Sequence, residues 1–281
     1  MSGRVKRVLR FGALLPLLLL AASVYRPVPE LGMGSGFVGD PPGRSAREPF
    51  RSAAPRVFIV YLNGSVAEGK PDPCSRLALP PVAADLDGRM VDGYRLTVFQ
   101  YCTPTKTGGF NQEDGDGVAK VRRRAADTES LLLRMMADGV SSDHIVLMGQ
   151  SAGAWAGLLI QAQGRVPVAG LIGFAPAFAG RRAYRGAAWQ AERDRQIAEI
   201  TASDRLDGLI FGFSGDPFEP PDAMTWLAAR PGIAYRHSPC IVARPHAAAF
   251  SPCFQATEAG RIFAYIAMRL RAGAVNRSER Q

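Results

Sequence analysis

From residue 56 onward, short apolar runs rich in β-branched and aromatic residues alternate with stretches of helical periodicity. Arg56–Leu62 is such a run and stops at Asn63-Gly64, which predicts a buried strand followed by a turn. A weaker helical pattern over 80–92, opened by Pro80-Pro81, precedes a second strand over Tyr94–Tyr101. Over 117–138, Val118, Val121, Ala125, Leu132, Met135 and Met136 recur at helical spacing, and Gly139 supplies the stop. Ile145–Met148 then predicts a short strand and Ala152–Gln163 a helix of small residues. Val168–Phe174 reads as a strand, 187–202 as a polar helix and Leu209–Phe213 as a strand. A short helix over 222–229, a last short strand over Cys240–Ala243 and a closing helix over 254–272 complete the series. In that closing helix Ile262, Ile266 and Leu270 share one face. No internal repeat is visible. The alternation implies an α/β domain over 56–272, a mostly parallel sheet of about six strands with helices on both faces. In such sheets functional groups gather in the loops beyond the carboxyl ends of the strands.

The first 55 residues follow another pattern. Arg4, Lys6, Arg7 and Arg10 precede an apolar stretch over 11–24, with Ala21-Ala22-Ser23 offering small residues for cleavage. The stretch has the length of a signal-peptide core and is short for a membrane span. Residues 1–23 are therefore expected to be a signal peptide, with an uncleaved membrane anchor as the alternative. Residues 24–55, rich in Pro and Gly without hydrophobic period, read as a flexible tether, and 273–281 as a disordered tail. The expected location is periplasmic or secreted, or the outward face of the inner membrane if the anchor is kept.

Composition narrows the class. Hydrophobic residues make up 47% and charged residues 21%, the balance of a folded globular chain. The net charge of +9 includes the four N-terminal cations, and elsewhere Arg residues are interspersed with acids. The tightest run, Arg122-Arg123-Arg124, is followed by Asp127 and Glu129 and reads as the solvated face of a helix rather than a nucleic-acid surface. Cys74, Cys102, Cys240 and Cys253 contain no Cys-x-x-Cys pair, so no zinc site is expected, and an even count in an exported chain suggests two disulfides. Asp114-Gly115-Asp116, in the polar loop between Cys102 and Gly117, has too few spaced ligands for calcium. No metal or organic cofactor is expected. The loop reads as facing the substrate.

The carboxyl-edge rule then selects the chemistry. Gly149-Gln150-Ser151-Ala152-Gly153 lies between a predicted strand and a predicted helix. A serine raised on so sharp a turn needs glycines beside it, because side chains there would clash, and the following helix aims its positive end at the serine. Of the three histidines, His144 precedes its strand at the wrong edge, His237 lies before or within the last strand, and His246 lies in a loop after it. His246 is the favoured base, with His237 as the substitute. Asp216 directly follows the strand over Leu209–Phe213 and is favoured as the carboxylate orienting the histidine, with Asp222 or Glu219 as substitutes or a dyad without it. The oxyanion donors expected are the amide of Ala152 and that of Ser65, or failing it Gly64.

The order Ser151, Asp216, His246, each after a successive strand, resembles the α/β-hydrolase family over residues 56–272. The short segment between Phe178 and Asp207 leaves no room for a large cap, which makes the chain similar to small lidless esterases such as cutinases and dienelactone-hydrolase-like enzymes. The resemblance implies Ser151 as nucleophile, Asp216 as acid, His246 as base, and ester hydrolysis through an acyl-enzyme. Where the family commonly has His-Gly before the oxyanion loop, this chain has Asn63-Gly64. On this fold Cys74 and Cys102 would share a sheet edge, and Cys240 and Cys253 would bracket His246, so the expected bridges are Cys74–Cys102 and Cys240–Cys253. The partner expected is a small-molecule or polymer ester, with no nucleic acid and no membrane beyond a retained anchor. A peptidase or acyltransferase on the same triad, or a binding module retaining the fold, are the rival readings.

Overall fold

The computed structural model describes residues 35–38, 50, 55–65, 79–103, 116–178 and 186–278. Long buried runs make the central strands. All residues of Ile145–Gln150, Gly170–Phe174 and Gly208–Phe213 are buried, as expected where helices cover both faces of a sheet. The strands are β1 (Gly36–Phe37), β2 (Arg56–Leu62), β3 (Met90–Val91), β4 (Tyr94–Tyr101), β5 (Ile145–Gln150), β6 (Gly170–Phe174), β7 (Gly208–Phe213) and β8 (Ile233–Ser238). They form one sheet in the order β1-β4-β2-β5-β6-β7-β8, with β3 also on β4. The run from β4 to β8 is parallel throughout, and β1 and β3 add short antiparallel pairing to β4.

The helices are α1 (Pro81–Ala84), α2 (Asp116–Ala137), α3 (Ala152–Gln163), α4 (Ala187–Ala202), α5 (Thr225–Ala228) and α6 (Pro252–Ser278). One face of the sheet packs Phe58, Val60 and Leu147 against α2, α3 and α4 through Leu132, Trp155 and Trp189. The other packs Ile59, Val146 and Phe211 against α1 and α6 through Val82, Ile262 and Ile266. Between Phe178 and Asp207 the described residues hold only α4.

Five expectations need correction. The helix over 80–92 stops at Ala84, and β3 and β4 make a hairpin whose turn residues Asp92 and Gly93 have φ of 47° and 83°. A two-residue loop with both φ positive matches the right-handed twist of the strands, and Asp-Gly is the pair that adopts it most readily. The last strand is Ile233–Ser238 rather than Cys240–Ala243, and Ile241 is 95% exposed. Within the expected tether, the described residues pack: Phe37 on β1 lies edge-on against Phe50 and Phe99, and Phe50 is buried. The closing helix continues past 272 to Ser278. Finally, Arg122-Arg123-Arg124 is not a uniformly solvated face. Arg122 pairs with Glu192 and Glu199 on α4, and Arg124 is buried.

Candidate active site

The backbone turns sharply at Ser151, with φ 56° and ψ −124°, between the last residue of β5 and the first of α3. This conformation costs a non-glycine residue energy and lifts the hydroxyl clear of the sheet edge. The flanking glycines answer a packing need. A Cβ on Gly149 would lie 2.6 Å from the Ala154 nitrogen, and one on Gly153 would strike the Leu62 carbonyl and come within 2.7 Å of the Asn63 oxygen. Gly153 therefore lets the loop after β2 lie directly against the serine turn. Gly64 repeats the approach from the other side, since a Cβ there would stand 3.0 Å from the Ser151 Cβ and overlap the Gln150 amide.

The three residues favoured by sequence meet at this edge. Ser151 Oγ is 2.8 Å from His246 Nε2, and His246 Nδ1 is 2.8 Å from Asp216 Oδ2. The second Asp216 oxygen, Oδ1, accepts from the Phe218 amide at 2.8 Å, so both oxygens of this fully buried carboxylate are bonded. With Nδ1 donating its proton to the carboxylate, Nε2 is left to accept from the Ser151 hydroxyl. His246 stands in the 3₁₀ turn Pro245–Phe250 between β8 and α6. Its backbone oxygen accepts from Gln150 Nε2 at 3.0 Å, and its ring faces Phe218 with centroids 4.2 Å apart. Cys240 and Cys253 are bonded to each other on either side of it, as expected. Of the other pair expected to bridge, Cys102 is buried directly after β4 and Cys74 lies outside the described residues.

The substitutes are elsewhere. His237 is exposed on the edge strand β8, and His144 lies at the opposite sheet edge against the Tyr94 ring, where burial lowers its basicity. Asp222 is exposed. Glu219 is buried in a two-pronged ion pair with Arg193 of α4, at 2.8 and 2.7 Å, which holds the loop carrying Asp216 and Phe218. Three residues on, Gln196 accepts from Trp155 of α3 at 2.9 Å. One helix thus grips both the acid loop and the helix that follows the serine. Sequence reasoning missed this role of α4, and it missed Gln150, Phe218 and Arg124. The spacing of Arg193 and Gln196 puts them on one face of α4, which was the one available signal.

Of the expected oxyanion donors, Ala152 is next to the serine in the chain and Gly64 packs against the Ser151 Cβ. Ala152 opens α3, where a helix has no partner of its own for the first amides, and Gly64 and Ser65 follow β2 on the adjoining loop. Among the described residues, no group of three or more His, Cys, Asp or Glu side chains is gathered as metal ligands would be, and no helix is long and apolar enough to cross a membrane.

No family model matches the chain, and no curated protein does. Solved structures do. The structure of DcsB in complex with its substrate analogue superposes with a TM-score of 0.54 at 11% identity, covering 79% of this chain and 93% of that one. An S-formylglutathione hydrolase from Agrobacterium tumefaciens gives 0.50 at 16% identity, covering 78% and 86%. A Mycobacterium tuberculosis puromycin-hydrolyzing peptidase gives 0.50 at 12% identity over 78% of this chain, which spans only 35% of that protein. The chain has the α/β-hydrolase fold.

Proposed function

We propose that the protein is an exported serine hydrolase that cleaves carboxylic esters through an acyl-enzyme, with Ser151, His246 and Asp216 as its triad. The observation that carries this reading is the unbroken hydrogen-bonded line from the Ser151 hydroxyl through His246 to buried Asp216, each link 2.8 Å. Ser151 gives its proton to His246 Nε2 as the oxygen attacks the acyl carbonyl. The imidazolium is held by Asp216 and returns the proton to the departing alcohol. Water repeats the cycle and releases the acid. The developing oxyanion lies between the Ala152 amide and the loop amide of Ser65 or Gly64. Neither step asks for a metal or cofactor. Export is supported by the basic and apolar N-terminal stretch and by the Cys240–Cys253 bridge, which persists in oxidising compartments.

An S-formylglutathione hydrolase and a puromycin-hydrolyzing peptidase share this fold, and the bond this protein cleaves is read directly by assay. Purified protein incubated with p-nitrophenyl esters of graded acyl length, with peptides, and with esters plus acyl acceptors separates the three activities. Burst release of p-nitrophenol followed by slower turnover supports the ester reading. Peptide cleavage without ester turnover, or acyl transfer that outruns hydrolysis, replaces it.

A further inference from the structure

Arg124 stands apart from the other cations. It is 4% exposed, and among the described residues no carboxylate lies within ion-pair distance of it. Its Nη2 donates to the Asn63 carbonyl oxygen, while Nη1 is buried with no hydrogen-bond partner. Burial pushes its guanidinium down to about 10, with Tyr61 and Asp127 acting to keep the charge. A buried cation that no described carboxylate contacts directly is costly to the fold, and such a cost points to a role other than stability.

The position of the bond suggests the role. The Asn63 carbonyl and the Gly64 N–H belong to one planar trans peptide, so the N–H points away from the oxygen that Arg124 holds. The same peptide lies against the serine turn. Its oxygen would lie 2.7 Å from a Cβ on Gly153, and a Cβ on Gly64 would lie 3.0 Å from the Ser151 Cβ. A cationic bond to the carbonyl oxygen polarises the amide and strengthens its N–H as a donor, and a low-dielectric setting enlarges the effect. On the serine-hydrolase reading proposed above, we infer that Arg124 is a positioning residue for the oxyanion hole. It fixes and polarises the Asn63–Gly64 peptide so that the Gly64 amide donates to the tetrahedral intermediate, whose negative charge adds to that of Asp127 in offsetting the buried cation.

The test compares wild type with Arg124→Lys and Arg124→Met. The readouts are kcat and KM on a neutral p-nitrophenyl ester and inhibition by a trifluoromethyl ketone, which forms an anionic hemiketal on a reactive serine. The inference expects kcat to fall about tenfold to a hundredfold in Arg124→Met with KM little changed. The ketone's inhibition constant should rise by the same factor, while that of an unreactive ether analogue of the ester stays put. Arg124→Lys should recover part of the loss, and it carries the comparison if the Met variant does not fold. Unchanged kcat with only a lower melting temperature overturns the inference, as does a loss confined to substrates bearing a carboxylate, which would make Arg124 a substrate-binding group. A wild-type protein that forms no ketone adduct at Ser151 overturns the hydrolase reading itself. Activity abolished in Ser151→Ala but intact in Arg124→Met overturns this inference alone.

Discussion

Replacing Glu219 by Gln leaves the Arg193 guanidinium buried without its carboxylate. Their side chains are 5% and 1% exposed, and two hydrogen bonds of 2.8 and 2.7 Å join them. Breaking a buried pair from one side costs about 3–5 kcal/mol, because the remaining charge stays desolvated. That is a large part of the roughly 5–15 kcal/mol available to a domain. Removing both charges, with Arg193→Met added to Glu219→Gln, should return part of the loss, giving a coupling of about 2–3 kcal/mol. Urea unfolding of the wild type, both single variants and the double variant measures it, provided the slopes agree. Ester turnover gives a second readout. The loop holding Asp216 and Phe218 loses its anchor in every variant, so the double variant should stay slow although part of its stability returns. Single losses that add to within about 0.5 kcal/mol would refute the reasoning, and so would a stable double variant with full activity.

Three further outcomes follow from the geometry. Cys253→Ser opens a bridge spanning 13 residues and should cost about 3 kcal/mol, read as a lower denaturation midpoint under oxidising conditions; an unchanged midpoint would count against it. Gly153→Ala places a Cβ 2.7 Å from the Asn63 oxygen with backbone on both sides, so about 1–3 kcal/mol of stability and most of the turnover should go; a fully active variant would show that the loop has room to move. Gly93→Ala tests the β3–β4 hairpin turn. At φ 83° it should destabilise by about 1 kcal/mol, and an unchanged or raised melting temperature would count against the turn.

What could be read from the sequence follows how strongly each segment is buried. Ile145–Met148 and Leu209–Phe213 are apolar runs between turn signals, and such runs have one good solution in a covered sheet. β8 escaped because an edge strand needs little burial: in Ile233–Ser238, Ile233 and Tyr235 alternate with exposed Ala234 and Arg236. The more apolar Cys240–Ala243 drew the assignment instead, though the Cys240–Cys253 bridge, not pairing, fixes that segment. Asp92-Gly93 marks the β3–β4 turn in the sequence, but the weak helical pattern over 80–92, opened by Pro80-Pro81, ran across it. β1 is two residues long, too short for any period, and is held by aromatic contacts from distant strands.

The residues at the candidate site were legible for a related reason. Ser151, Asp216 and His246 each follow a strand at one edge, and position relative to a strand end is a local property. Arg193 and Arg124 were not legible, since their partners lie in other elements. Arg124 was read with its charged neighbours, yet it lies three residues after Val121 and next to Ala125, on the stripe that α2 buries. The periodicity that located the helix therefore also marked Arg124 as inward, and the composition of the run hid it.

The most direct test is covalent. Folded wild-type protein is treated with a fluorophosphonate probe and the modified peptide is identified by mass spectrometry. Stoichiometric labelling at Ser151, absent in Ser151→Ala and slowed about a hundredfold or more in His246→Ala, is the result expected of a serine raised by the β5–α3 turn and served by His246. Labelling at another residue, or none of a protein shown to be folded, would contradict it.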